Sequence, residues 1–128
     1  MADFMKRYQG ETYAILRVVS GLLFFVHGVS KLFGYPVAPP EGTPAFVIWI
    51  AGGIELVGGA LIAIGFQTRW AAFVCSGLMA AAYWMAHGTK HFLPLMNGGE
   101  LAVVYCFLFL FIAANGAGRY SLDGAARA

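Results

Sequence analysis

The sequence predicts an all-α polytopic membrane protein, a bundle of four transmembrane helices with both termini in the cytoplasm. Hydrophobic residues make up 60% of the 128 residues and charged residues only 11%, whereas a soluble domain carries about 25% charged residues. The apolar residues form four long runs separated by short segments rich in Gly and Pro. Lys and Arg fall mostly on one side of the resulting topology. We therefore expect a multi-pass membrane protein.

The four runs predict one domain with four helices. Their approximate ranges are 12–33, 44–66, 69–87 and 100–114. The first run ends at Gly34-Tyr35-Pro36, and Pro44 suits the first turn of the second helix. The two-residue link Gln67-Thr68 makes the second and third helices antiparallel neighbours. Each run approaches the roughly 20 residues needed to cross a bilayer, the fourth being the shortest.

The positive charges set the expected orientation. With the N-terminus in the cytoplasm, the basic residues inside are Lys6, Arg7, Arg17, Arg69, Arg119 and Arg127. Only Lys31 and Lys90 are then outside, which is the bias that cytoplasmic termini require. Arg17 and Arg69 are interpreted as anchors at the inner interface, whose long side chains extend to water.

A few ionisable residues fall inside the apolar runs or at their edges. They are His27, Glu55, His87 and Glu100. Such groups are costly at membrane depth and tend to face a bundle interior. Helical spacing puts His27 and Lys31 on one stripe of the first helix, and Tyr83 and His87 on one stripe of the third. Glu55 lies on a row of small residues that lets another helix approach. We expect this set to line the outer half of the bundle.

Several interpretations of this outer-half cluster stay open. It can bind a ligand, or it can fix the helix register through interhelical hydrogen bonds alone. A metal site is disfavoured because the spacing matches no metal motif, so no metal ligand is predicted. A haem between His27 and His87 is disfavoured because their depths differ. Cys75 and Cys106 each lie within an apolar run and are expected to be packing residues.

Several motifs along the chain point to a known family. They are His27-Gly28-Val29-Ser30-Lys31-Leu32-Phe33-Gly34, Gly52-Gly53-Ile54-Glu55-Leu56-Val57-Gly58-Gly59, Thr68-Arg69-Trp70-Ala71-Ala72, Asn97-Gly98-Gly99-Glu100 and Gly118-Arg119-Tyr120-Ser121-Leu122-Asp123. In this order they resemble the DoxX family of small four-helix membrane proteins. The resemblance implies a quinone-linked setting, because relatives include a subunit of a thiosulfate:quinone oxidoreductase and others linked to redox stress or sulfur chemistry. Many members have no assigned activity.

The main hypothesis is a membrane subunit of a quinone-linked oxidoreductase or redox-stress system, with a quinone as the candidate cofactor. In it, the outer-half pocket binds a quinone headgroup or handles its protons. The catalytic residues would be Glu55, which carries protons, and His27, which hydrogen-bonds a carbonyl oxygen. The ligand-binding set would be His27, Lys31, Tyr83, His87 and Glu100. Whether the chain is itself an enzyme stays open, because it has no flavin, metal or dithiol motif and a partner would have to supply electrons.

The alternative hypothesis is a non-catalytic accessory or scaffold subunit of a larger membrane complex. A carrier ranks last, because the sequence has no internal repeat. Gly52, Gly53, Gly58 and Gly59 spread around more than one side of the second helix, so one part can pack inside the bundle while another accepts a neighbour. The expected partners are therefore the lipid bilayer, other membrane or peripheral redox subunits, or a second copy. Nucleic acid is not expected, because the net charge of +2 comes from scattered residues.

Overall fold

The fold is all-helical over residues 3–127, which a computed structural model describes, with side chains described for residues 3–125. No β-strand occurs in that part of the chain. A 3₁₀ helix (Asp3–Tyr8) precedes α1 (Gln9–Phe33). A π-helical turn (Val47–Ala51) leads into α2 (Gly52–Ile64). Helix α3 (Thr68–Tyr83) continues into a second π-helical turn (Trp84–Gly88). The remaining helices are α4 (Pro94–Asn97), α5 (Glu100–Asn115) and α6 (Leu122–Arg127). Arg127, which we expect on the inner side, has a side chain that lies outside the described residues.

Glycine brings α1 and α2 into backbone contact. A Cβ atom on Gly28 would lie 2.4 Å from the Leu56 nitrogen, and one on Gly59 would lie 2.4 Å from the Phe25 nitrogen. No side chain fits in either place, so the two helices pack as small-residue stripes do in membranes. The predicted packing of Gly59 against another helix is confirmed.

The other helix contacts use larger side chains. Helix α3 packs against α5 and, less extensively, against α2. Helices α1 and α5 meet through aromatic rings: the Phe24 centroid lies 4.8 Å from that of Phe109 and 5.5 Å from that of Tyr105. Because these rings hold the two backbones apart, the bundle is more open along α1 and α5 than along α1 and α2.

The distribution of polar and apolar side chains is that of a membrane protein. Arg17 and Glu55 are buried, whereas large apolar residues such as Leu22 and Phe107 are exposed on the outer surface. Large exposed apolar surfaces mark contact with a partner or with lipid. Among the described residues, two helical segments are long and apolar enough to cross a membrane, Asp3–Phe33 and Val47–Ile64.

Helix α5 is apolar but short. Its 16 residues extend about 24 Å, less than the roughly 30 Å of a bilayer core. The all-helical prediction is confirmed, and two candidate spans are identified. The four-span bundle and its orientation stay predictions.

The C-terminal segment closes one end of the bundle, called here the termini end. This end comprises the start of α1, the link between α2 and α3, the end of α5, and residues 116–123. Arg17 lies there with 0% of its surface exposed. It donates to the carbonyl oxygens of Ile62 at 3.1 Å and Tyr120 at 2.7 Å, and also to those of Ala117 and Arg119.

The interpretation of Arg17 as a side chain extending to water is therefore wrong. The guanidinium points inward because the C-terminal segment folds back over α1 and presents its carbonyl oxygens. Five rigidly arranged N–H donors suit such a set of acceptors.

Two further polar residues stabilise the termini end through hydrogen bonds between helix ends. Arg69 is exposed, as expected, and donates to Ala113 O at 3.1 Å and Ala114 O at 2.5 Å at the end of α5. A cation is favourable at the negative end of a helix dipole. The Asp123 carboxylate accepts hydrogen bonds from the backbone N–H groups of Gln67 and Thr68, both at 3.0 Å, and so caps α3. The motif ending in Asp123 thus has a structural role in joining helix ends.

Candidate functional site

A cavity of about 280 Å³ lies at the opposite end of the bundle, called here the loop end. The loop end comprises the end of α1, both π-helical turns, residues 89–99 and the start of α5. Side chains from all four long helices or their π-helical extensions line the cavity. Its polar lining residues are His27, Lys31, Glu55 and His87, and its walls include Phe24, Met79, Leu101 and Tyr105. The structure thus brings together four of the residues that the sequence singled out.

An ion pair between α1 and α2 forms one wall of the cavity. Lys31 Nζ lies 2.9 Å from Oε1 and 2.8 Å from Oε2 of Glu55. The Glu55 side chain is only 3% exposed and that of Lys31 24%. Gly28 and Gly52 each precede one partner by three residues, and their close packing brings the two side chains within reach. A buried carboxylate needs such a partner, because leaving it unpaired costs several kcal/mol, about 3–5.

Asn97 holds the second polar group of the cavity, His87, in place. His87 Nδ1 lies 3.0 Å from the main-chain oxygen of Asn97. The Asn97 side chain is buried and donates to the Tyr83 hydroxyl at 2.9 Å and to the His91 carbonyl oxygen at 2.8 Å. It also accepts from the Gly99 N–H at 2.8 Å. Sequence reasoning missed Asn97 as a site residue, although an Asn before a Gly pair is a recognisable loop-forming signal.

His27 lies at the rim of the cavity. Its side chain is exposed, and its ring stands nearly perpendicular to that of Tyr105, at 85° with centroids 6.3 Å apart. The expectation that His27 projects into the bundle interior is wrong. Phe24 and Tyr105 occupy the space between α1 and α5, so His27, one turn beyond Phe24, is left at the open side.

Tyr83 and Glu100 do not line the cavity. Tyr83 is buried, and its hydroxyl accepts a hydrogen bond from Asn97. Glu100 is exposed on the first turn of α5, with no hydrogen bond or ion pair to another described side chain. The prediction that Tyr83 and His87 lie on one face of the third helix assumed α-helical spacing. The π-helical turn that starts at Trp84 changes the angle between successive residues, so Tyr83 does not face the cavity with His87. Tyr83 therefore contributes to the site through its hydrogen bond with Asn97, outside the cavity lining, and Glu100 is not part of the site.

Two π-helical turns contribute residues to the cavity. Val47 and Ala51 come from the turn before α2, and His87 comes from the turn after α3. Single π-helical turns are rare and occur often at functional sites. The sequence offered no signal for them. Their position beside the cavity is a backbone feature that accompanies the ionisable side chains.

No group of three or more His, Cys, Asp or Glu side chains within the described part of the chain is arranged to hold a metal ion. Cys75 is buried and Cys106 half-buried, and both are free. Ser76 donates to the Cys106 carbonyl oxygen at 2.7 Å, which places this thiol in a helix–helix contact between α3 and α5. The polar groups of the residues that line the cavity are an ammonium, a carboxylate, two imidazoles and the Tyr105 hydroxyl.

The apolar outer surface, the two long apolar segments and the enclosed polar groups define a small helical membrane protein with a partly open cavity among its helices. The chain belongs to the DoxX family, whose sequence model matches residues 12–88. That range includes His27, Lys31, Glu55 and His87, whereas Asn97 lies beyond it.

Similar proteins occur in several bacteria. The chain is 38% identical over 125 residues to an uncharacterized protein of Haemophilus influenzae, covering 93% of both chains. It is 30% identical over 118 residues to the Bacillus subtilis protein named "Putative oxidoreductase CatD", covering 85% of this chain and 82% of that one. It is 29% identical over 125 residues to the inner membrane protein YqjF of Escherichia coli, covering 93% and 95%. No solved structure matches the chain.

Proposed function

We propose that this protein is a membrane subunit of a quinone-linked redox system in the bacterial inner membrane, and that the loop-end cavity binds a quinone headgroup. One observation carries the proposal: the Lys31–Glu55 ion pair, whose Glu55 side chain is only 3% exposed, lines a cavity among apolar helices. Ionisable residues inside a membrane favour a function by default. The names of two relatives, "Putative oxidoreductase CatD" and "Inner membrane protein YqjF", support the redox role and the location.

The proposed topology has four spans and cytoplasmic termini. The spans are α1, Val47–Ile64, Thr68–Gly88 and α5. The bias of Lys and Arg toward the termini end supports this orientation. A single cysteine placed in the loop of residues 34–43, in a Cys75→Ala/Cys106→Ala background, should react with an impermeant thiol reagent added outside intact cells. Labelling only after lysis would reverse the orientation.

The cavity suits a small planar headgroup. Its volume of about 280 Å³ is near the lower end of ligand pockets, which begin at about 300 Å³. Phe24 and Tyr105 offer flat apolar walls, and the ring would lie between them and the polar groups. His27 and Leu101 are exposed where the cavity opens between α1 and α5, so an isoprenoid tail would leave on that side, toward lipid.

The polar groups supply what a quinone site requires. A bound quinone supplies two-electron, two-proton chemistry. The Lys31 ammonium has three donors; it directs hydrogen bonds to both Glu55 oxygens and can direct another to a ligand oxygen. The pair can hold a proton at Lys31 Nζ or at a Glu55 oxygen, as a general acid or base must. Residues 3–125 contain no recognisable electron carrier, so a partner subunit would supply or accept the electrons.

A second candidate, an accessory or scaffold subunit, has an observation of its own. Gly53 and Gly77 have open space where a side chain would stand. An apolar groove of about 330 Å³ runs between α2 and α3, past Gly53, Val57 and Trp70. A bare glycine on a membrane helix is a typical contact point for a neighbouring helix. This face would hold a partner whether or not the cavity binds a ligand.

Quinone binding in lipid nanodiscs separates the two candidates. The wild-type protein and the exposed-lysine control Lys90→Met should bind a short-chain quinone. The variant Lys31→Met/Glu55→Gln should bind it about 10–100-fold more weakly, as expected for a lost charge-assisted hydrogen bond.

The single variant Glu55→Gln should keep the fold and impair proton-linked turnover with partner subunits. Equal binding by the wild type and the double variant would contradict the proposed site. No binding by any form would favour the scaffold.

A further inference from the structure

The contact between His87 and Asn97 fixes the position of the proton on the imidazole. A backbone carbonyl oxygen can only accept a hydrogen bond, so the His87 Nδ1 that lies 3.0 Å from Asn97 O must carry hydrogen. In a neutral imidazole the other nitrogen, Nε2, is then an acceptor. Within residues 3–125, Nε2 has no hydrogen-bond partner, and His87 lines the cavity. The ring therefore offers its ligand an acceptor.

The carbonyl oxygen that sets this tautomer is itself held firmly. Asn97 is 8% exposed, and its side chain donates hydrogen bonds to the Tyr83 hydroxyl at the end of α3 and to the His91 carbonyl oxygen. Gly98 has a φ of 75°, a conformation that favours glycine. A Cβ atom on Gly99 would lie 2.8 Å from the Tyr83 ring. The segment is therefore packed against the end of α3, and its carbonyl oxygen cannot turn away without breaking these contacts.

Two of the polar groups that line the cavity have fixed and opposite hydrogen-bonding roles. The Lys31 ammonium can only donate hydrogen bonds, and a His87 ring whose single proton is at Nδ1 can only accept at Nε2. A quinone has acceptors at both of its oxygen atoms and would leave Nε2 unpaired. A hydroquinone can accept from Lys31 with one hydroxyl oxygen and donate to His87 with the other hydroxyl. Within residues 3–125, neither ring nitrogen of His27 has a hydrogen-bond partner, so this ring at the rim can adjust to either form of the ligand.

We propose that Asn97 is a positioning residue that holds His87 in its Nδ1–H tautomer, and that the cavity consequently selects hydroquinone over the corresponding quinone. The selectivity rests on the proposed quinone-binding function, whereas the tautomer does not. An unpaired acceptor in an enclosed site weakens binding by about tenfold. The site would then belong to a reaction that takes up the reduced form from the membrane, with a partner subunit accepting its electrons.

The first experiment measures the tautomers by ¹⁵N NMR of histidine-labelled protein in nanodiscs, without ligand. His87 should give the Nδ1–H pattern. His91 provides an internal contrast, because its Nδ1 accepts from the Leu93 N–H at 3.1 Å and should give the Nε2–H pattern. His87→Gln and His91→Gln assign the signals. An Nε2–H or doubly protonated His87 would overturn the proposal.

Two variants test whether Asn97 acts through His87. Asn97→Ala should convert the His87 signals to a mixture of tautomers. Tyr83→Phe removes only the hydroxyl that Asn97 contacts and should cause a smaller change in the same direction, so it serves if Asn97→Ala does not fold. An unchanged Nδ1–H pattern in both variants would remove the positioning role.

The second experiment compares the binding of a short-chain hydroquinone and its quinone under reducing and oxidising conditions, respectively. Wild type and His91→Gln should bind the hydroquinone about tenfold more tightly. His87→Gln should bind both forms with similar affinity, since an amide side chain can donate or accept. Equal or stronger binding of the quinone by the wild type would refute the selectivity while leaving the proposed function intact. If neither form binds, the proposed function fails, and with it the selectivity.

Discussion

Each end of the bundle has a cation of α1 that contacts polar partners, but the two cations differ in burial and in the partners they contact. At the termini end, the Arg17 guanidinium donates to four backbone carbonyl oxygens of α2 and the C-terminal segment. At the loop end, the Lys31 ammonium pairs with one carboxylate beside an open cavity. Arg17 has fixed acceptors and joins chain segments. Lys31 keeps donor capacity facing a space that a ligand can occupy. The comparison indicates that one end of α1 has a structural role, and it supports the binding role proposed for the other end.

The largest effect should come from removing the buried guanidinium. Arg17→Met leaves four carbonyl oxygens without their donor, and we expect the free energy of unfolding to fall by about 3–5 kcal/mol. Arg17→Lys should recover little, because a single ammonium cannot reach four acceptors arranged around a planar fork. Reversible unfolding in mixed micelles measures the change.

The matched control for Arg17 is the exposed Arg69, which caps the end of α5. Arg69→Met should cost only about 0.3–1 kcal/mol, the usual contribution of a cation at a helix end. If both substitutions lowered the free energy of unfolding by similar amounts, Arg17 would not be the main stabilising residue of the termini end.

A middle effect is expected at the cap of α3. Asp123→Ala removes the carboxylate that accepts from the Gln67 and Thr68 N–H groups and should cost about 1 kcal/mol. Asp3→Ala is the control, because Asp3 forms only an exposed ion pair with Lys6 and should change the unfolding free energy by less than about 0.5 kcal/mol. The same mixed-micelle unfolding applies. A loss at Asp3 as large as that at Asp123 would argue against the capping role.

The smallest effect on stability should come from the loop end. Lys31→Met/Glu55→Gln removes both charges and keeps similar side-chain volumes, so we expect a change within about 1 kcal/mol. The single variant Lys31→Met should be more harmful, because it leaves the Glu55 carboxylate buried and unpaired. If the double variant unfolds as readily as Arg17→Met, the Lys31–Glu55 pair mainly stabilises the fold. The contrast between the two ends would then be contradicted.

The sequence predicted the helical class and much of the cavity, for identifiable reasons. Long apolar runs define helices in a membrane regardless of their packing. The cost of burying charge singled out Glu55, and helical spacing put Lys31 and His87 at the same depth range. These inferences needed only local sequence and the properties of the bilayer.

The remaining features depend on tertiary contacts that local patterns do not contain. The burial of Arg17 requires the chain to return after 100 residues and place Ala117 O against it. The exposure of His27 follows from the size of the rings between α1 and α5. The roles of Tyr83 and Asn97 depend on a π-helical turn, which the sequence does not signal.

Photoaffinity labelling tests the central claim, that the loop-end cavity holds the quinone headgroup, most directly. An azidoquinone would be irradiated with the protein in nanodiscs, and the labelled residues mapped by mass spectrometry. We predict labels near His27 on α1 and near Leu101 and Tyr105 on α5, lost in Lys31→Met/Glu55→Gln and retained in Lys90→Met. Labels confined to the groove between α2 and α3, or unchanged in the double variant, would contradict the account.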